Sequence, residues 1–204
     1  MTTRKQASKI DRPFKPTKQQ LIDAAGKTVP DVIAPNLQVL FCGINPGLYT
    51  AAVGHHFARP GNRFWPALFK SGFTDRLLSP FEERELLKSG LGISNVVSHA
   101  TATAAELTRE DFILGGRKLA AKIKKYQPRI VAILGVGAYR AAFAEQKAGV
   151  GEQGRGIHFA RVWVLPNPSG LNANYQLPEL VRLFAELRMA AEASPQKLFT
   201  PAEN

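Results

Sequence analysis

LQVLFCGINPG, residues 37–47, sets the pattern of the chain: a largely apolar run, Leu37–Cys42, ends in Gly43 and breaks at once into Asn45-Pro46-Gly47. Such a run suits a strand buried on both faces, because an exposed face would show alternating polar residues. Similar runs recur at Ile93–Val97, at Arg129–Leu134 (RIVAIL) and at Val162–Leu165 (VWVL). Helical segments lie between them. Arg63–Ser71 starts after Asn62 and is closed by Gly72; Pro80–Lys88 has Ser79 as N-cap and Gly90 as stop. Thr108–Tyr126 places Leu119 and Ile123 four residues apart and ends before Pro128. Gly137–Gln146 follows, and Pro178–Ala193 puts Leu180, Leu183, Phe184 and Leu187 on one face. Leu21–Ala25 reads as a linker or a short helix. Strands alternating with helices predict an α/β domain whose mainly parallel sheet is covered on both sides. Ligands of such sheets bind outside the carboxyl ends of the strands, so Gly43–Gly47 and Pro166–Leu171 are expected to face one cleft.

With 204 residues and 45% hydrophobic content, the chain can form one well-packed core. A basic, flexible tail is expected over residues 1–30, a single domain over 31–193 and a frayed tail over 194–204. Arg4, Lys5, Lys9, Arg12, Lys15 and Lys18 lie in the first twenty residues, which lack an apolar h-region, so no secretory leader is expected. No run approaches the ~20 apolar residues of a membrane span, and the expected location is cytoplasmic. Cys42 is the only cysteine, which excludes an intrachain disulfide; it reads as a small buried hydrophobe. The formal net charge of +11 favours a polyanionic partner, nucleic acid first, although charge of this size also serves solubility alone.

In Gly43-Ile44-Asn45-Pro46-Gly47 the proline fixes its own φ and pushes Asn45 toward an extended conformation. An amide held so tightly can orient a water; the turn also has a purely structural reading. Phe57, after His55 and His56, offers a ring on which a nucleobase can stack, or it is core. Adjacent histidines do not converge on one ion, and no Cys or acidic cluster assists them, so neither a metal nor an organic cofactor is expected. Asn62-Arg63-Phe64-Trp65 reads as a capped helix start, with Phe64 and Trp65 in the core and Arg63 either reaching a phosphate or solvated. Gly135-Val136-Gly137 lacks the third glycine of a dinucleotide fingerprint, Arg140 standing in its place. In Asn167-Pro168-Ser169-Gly170-Leu171, small residues flank one apolar tip. Leu171 suits a wedge between base pairs, or it turns inward. No Ser-His-Asp set, P-loop or paired carboxylates are visible.

Taken together, GINPG, GHHFARPGNRFW and LPNPSGL, with FKSGFTD, GGRKL and YQPRIVAILG between them, resemble the mismatch-specific uracil/thymine-DNA glycosylase family of the uracil-DNA glycosylase superfamily. The similarity runs from about Leu37 to Leu187. It implies a three-layer α/β/α sandwich with a central, mainly parallel four-stranded sheet. It also implies a monofunctional DNA glycosylase that flips uracil, thymine or ethenocytosine from a G-mismatched duplex and hydrolyses the N-glycosidic bond in base excision repair. The partner implied is double-stranded DNA holding G·U or a related mismatch, met by a monomer. By this resemblance Asn45 positions the water that attacks C1′. Ile44, His56, Phe57 and Asn167 surround the base, while Ser169, Gly170 and Leu171 engage the duplex, to which the reading of Arg63 as a DNA-binding residue is added. Two positions depart from many relatives: Ser98 replaces an acidic residue, and Thr50 replaces a smaller one, which favours uracil over thymine. A glycosylase-fold protein that binds damaged or abasic DNA with little turnover, and an α/β protein using a free nucleotide, are the competing readings.

Overall fold

A computed structural model of the protein describes residues 15–193. Five strands form one sheet in the order β2-β1-β3-β5-β4. They are β1 (Val39–Gly43), β2 (Leu91–Asn95), β3 (Ile130–Leu134), β4 (Gly151–Glu152) and β5 (Arg161–Leu165). The four longer strands run parallel, and the two-residue β4 pairs antiparallel with β5 at the edge. The expected four parallel strands are therefore present, and β4 is an addition too short to register as a hydrophobic pattern. The helices are α1 (Lys18–Ile22), α2 (Leu48–Val53), α3 (Phe64–Lys70), α4 (Arg109–Tyr126), α5 (Val136–Phe143) and α6 (Leu177–Glu192), with 3-10 helices at Pro80–Ser89 and Ala104–Glu106.

The pleat of β1 shows why three layers form. Val39 and Phe41 point into one core with Phe64, Leu68, Phe184 and Leu187 of α3 and α6. Leu40 and Cys42 point into the other, with Leu119, Ile123 and Tyr139 of α4 and α5. Both faces are covered, so every residue of β1, β2 and β3 is buried. Phe41 meets Phe64 edge-on and stacks with Phe184, which fixes α3 and α6 on the same side. On the opposite side α4 lies close because Gly115 and Gly116 have no Cβ: a methyl there would stand 2.4 Å from the Val96 carbonyl oxygen and 2.5 Å from that of Ala142. Cys42 is fully buried in this core, and its desolvation pushes the thiol far above its usual range, consistent with a role as a small hydrophobe.

The expected boundary of the N-terminal tail needs correction. From Lys15 onward the chain is folded: Thr17 caps α1 in a capping box, Ala24 and Val29 are buried, and Val32 bridges Ile93 on the outer edge of β2. This segment satisfies backbone groups that an open sheet edge would leave unpaired. Residues 1–14, with the remaining basic side chains of the expected tail, and residues 194–204 lie outside the described residues. Among the described residues no helix is long and apolar enough to cross a membrane.

Candidate active site at the carboxyl edge of the sheet

The turn after β1 is stitched to the chain leaving β2. Val96 N–H donates to the Gly43 carbonyl, Val97 N–H to that of Ile44 and Thr101 N–H to that of Pro46. Pairing thus continues past the strand ends and holds Asn45 over the sheet edge. The Asn45 amide is oriented in turn. Its Nδ2 donates to the His99 carbonyl oxygen at 3.1 Å and to Thr101 Oγ1 at 2.8 Å, and the Thr101 hydroxyl donates to the Thr103 carbonyl at 2.8 Å. A backbone carbonyl only accepts, so the atom facing His99 must be the NH₂. Asn45 Oδ1 is left without a protein donor among the described residues, half-buried and available to a water. Thr101 went unnoticed in the sequence, because only the fold brings it to Asn45. Thr101→Val is expected to loosen the Asn45 amide, since one of its two acceptors is lost. Faster hydrogen exchange of the Asn45 side-chain amide checks this, and an unchanged rate would show that Asn45 holds its pose unaided.

The floor beside Asn45 is formed by Gly43, Asn95 and Phe57. Gly43 and Asn95 are register partners on β1 and β2. A Cβ on Gly43 would lie 2.6 Å from Asn95 Oδ1 and 3.3 Å from the Phe57 ring. Phe57 adopts a left-handed backbone, φ 54°, and its ring stacks on Phe64 with centroids 4.1 Å apart. Asn95 is 7% exposed and was also missed in the sequence. The polar pair Ser94-Asn95 closing an otherwise apolar strand was the available signal.

His56, expected near the base, does not line the cleft. It is 1% exposed, and each of its polar groups is engaged. Its N–H donates to Glu83 Oε2, its carbonyl accepts from Trp65 Nε1, Nε2 faces the Pro30 carbonyl at 3.0 Å, and Nδ1 faces Asn95 Nδ2 at 3.4 Å. The Pro30 carbonyl places the proton on Nε2, so Nδ1 accepts from Asn95, which directs Asn95 Oδ1 to the Gly43 side. Burial lowers the His56 pKa from its ordinary 6.5, partly countered by the charge of Glu83. The unfolded chain therefore takes up a proton at a pH where the folded one does not. Stability contributed by neutral His56 is complete above about 6.5 and declines as pH falls below it. Thermal unfolding midpoints are expected to drop over that range in the wild type and less in His56→Gln; equal slopes would rule out His56 as the source.

After β5, Asn167 Oδ1 accepts from Ser169 N–H at 3.0 Å, and Ser169 Oγ accepts from Leu171 N–H at 3.3 Å. These bonds shape a projecting loop whose tip, Leu171, is 70% exposed. It does not turn inward. Nδ2 of Asn167 has no partner among the described residues. Arg63, expected to reach out to phosphate, instead directs its guanidinium at the backbone carbonyls of this loop. Ile44 sits at the mouth beside Gly135, whose added Cβ would meet it at 3.0 Å. Thr50 is buried on α2, and Ser98 is exposed next to His99. No group of three His, Cys, Asp or Glu side chains able to hold a metal occurs among the described residues. An open groove of about 630 Å³ between α4 and α5 has Arg109, Ile113 and Arg140 in its lining and includes none of these site residues.

A glycine-bounded turn holding one oriented amide, a ring on a second turn and an apolar tip on a third thus lie at the carboxyl edge of a parallel sheet. The chain belongs to the uracil DNA glycosylase superfamily, whose sequence model matches residues 30–188. Its fold is similar to a solution NMR structure from Methanosarcina acetivorans, provisionally assigned as a uracil DNA glycosylase. The TM-score is 0.54 and the identity 17%, over 80% of this chain and 98% of that one. Membership supports a DNA glycosylase acting on uracil in DNA repair.

Proposed function

We propose that the protein is a mismatch-directed, monofunctional uracil-DNA glycosylase that takes uracil opposite guanine out of the duplex and hydrolyses its N-glycosidic bond. The observation that carries this reading is the fixed Asn45 amide, with Nδ2 committed to His99 and Thr101 and Oδ1 open. An amide is a weak proton acceptor, so it orients a water without strongly deprotonating it. Bond breaking then runs ahead of attack: the C1′–N1 electron pair leaves with the base, C1′ takes on oxocarbenium character, and the held water adds to it. One water proton is released and the pyrimidine anion is ultimately protonated, so the products are free uracil and an abasic sugar. In this reading one face of the base rests on Phe57. Asn95 reads its polar edge, and Asn167 Nδ2 is free to stabilise charge on the departing pyrimidine. Leu171 fills the space left in the helix, and loop backbone groups face the widowed guanine.

In this reading the β-branched Thr50, buried on α2, restricts a 5-methyl group, which favours uracil over thymine. Single-turnover release from G·U, A·U, G·T and G·ethenocytosine duplexes tests both parts. G·U is expected to lead. Thr50→Ala is expected to raise G·T release by roughly tenfold, the scale of one methyl-sized steric difference. Equal rates for G·U and A·U would remove the mismatch requirement, and an unchanged G·T rate in Thr50→Ala would remove Thr50 from specificity.

A further inference from the structure

We propose that Arg63 is the positioning residue of the Leu171 wedge, a role that rests on the glycosylase reading above. The guanidinium gathers four backbone carbonyls of one loop. Nη1 donates to Tyr175 at 2.8 Å and Asn172 at 2.9 Å, with the Ser169 carbonyl sharing a hydrogen at 3.4 Å, and Nη2 donates to Gly170 at 3.3 Å. The backbone repeats the attachment: Arg63 N–H donates to the Pro168 carbonyl at 2.9 Å, and a Cβ on Gly170 would stand 2.6 Å from the Gly61 carbonyl oxygen. The loop has only short-range bonds of its own, such as Asn172 Nδ2 to the Asn167 carbonyl, and its apolar tip is in solvent. Little else fixes its height over the sheet edge.

The chemistry suits arginine in particular. A planar fork reaches several carbonyls at once, whereas the lysine ammonium, on a flexible four-carbon stem, is a point donor. Arg63 makes no ion pair among the described residues, so its charge stays at the foot of the wedge, where a polyanion approaches. The next residue, Phe64, carries the ring of Phe57. Arg63 and Phe64 therefore brace two working parts from one helix start: the wedge that opens the duplex and the platform that receives the base. Arg63 acts on DNA through the loop carbonyls rather than by holding phosphate.

Two readouts test this on the full chain: amide hydrogen exchange of residues 169–174 in the free protein, and single-turnover release from a G·U duplex. The variants are Arg63→Gln, Arg63→Lys, Leu171→Ala and the double variant Arg63→Gln/Leu171→Ala. Arg63→Gln is expected to speed loop exchange about tenfold or more, with α3 amides unaffected, and to slow release by a similar factor. Arg63→Lys is expected to lie between wild type and Arg63→Gln, and it serves alone if the glutamine variant does not fold. Leu171→Ala is expected to slow release, and adding Arg63→Gln to change it by no more than about twofold, because both act on one step. Unchanged loop exchange, or slowing that multiplies in the double variant, overturns the inference while leaving an active wild type. A wild type that releases no base overturns the glycosylase reading, and the wedge role with it.

Discussion

Replacing Asn45 by alanine is expected to reduce base release by about a thousandfold or more while binding to a uracil-containing duplex changes little. The asymmetry follows from what the side chain touches. Its NH₂ is spent on the His99 carbonyl and Thr101 Oγ1, both inside the protein. In the proposed mechanism its oxygen, which has no donor among the described residues, holds the water, so alanine would remove that acceptor and leave the loop after β5 unchanged. The turn itself is held by main-chain bonds from Val96, Val97 and Thr101, so the fold should survive the change. Single-turnover rates and a binding isotherm separate the two effects. Release within about tenfold of wild type would mean that another group orients the water, against the role proposed for Asn45.

The second large effect is expected from the smallest change, Gly43→Ala. The new methyl would lie 2.6 Å from Asn95 Oδ1, closer than a side chain tolerates, and 3.3 Å from the Phe57 ring, a tight contact. Neither neighbour can move freely. Asn95 is buried and bonded to His56, which is itself fixed on every polar atom, and Phe57 is pinned against Phe64. The strain must therefore appear as a shifted platform or a displaced amide. A misplacement on the order of 1 Å in a reaction site costs about a hundredfold in rate. Overpacking a core position of this kind costs about 1–3 kcal/mol of stability. Rate and urea midpoint are both expected to fall, with the rate falling further than lost stability explains. A variant as active as the wild type would show that the pocket floor is soft.

How much of this was legible in the sequence depends on where each signal resides. Continuous apolar runs announced β1, β3 and β5, and α4 was bounded within a residue by Thr108 and Pro128, because capping and periodicity are local properties. The six-residue α2 was not seen, since it is shorter than two turns and its stop, Gly54 with φ 82°, looks like any loop glycine. Pro80–Ser89 was recognised with both its caps, although its backbone is 3-10 rather than α. The turn holding Asn45 stood out because Pro and Gly leave a local mark. The partners that orient it did not: His99 and Thr101 are 54 and 56 residues away, and nothing local distinguishes them. The resemblance puts His56 beside the base, and position at a helix start leaves Arg63 either reaching phosphate or solvated. Their actual partners, a buried Glu83, a proline carbonyl and the carbonyls of a loop more than 100 residues on, exist only once the chain is folded.

The central claim, that these residues form a hydrolytic base-release site, is tested most directly by incubating the purified protein with a duplex holding one G·U pair and analysing the products by mass spectrometry. The account predicts free uracil and a full-length strand carrying one abasic sugar, formed without strand cleavage and without added metal. A duplex that is bound tightly yet returned with its uracil intact would contradict it and leave a lesion-binding protein on a glycosylase fold.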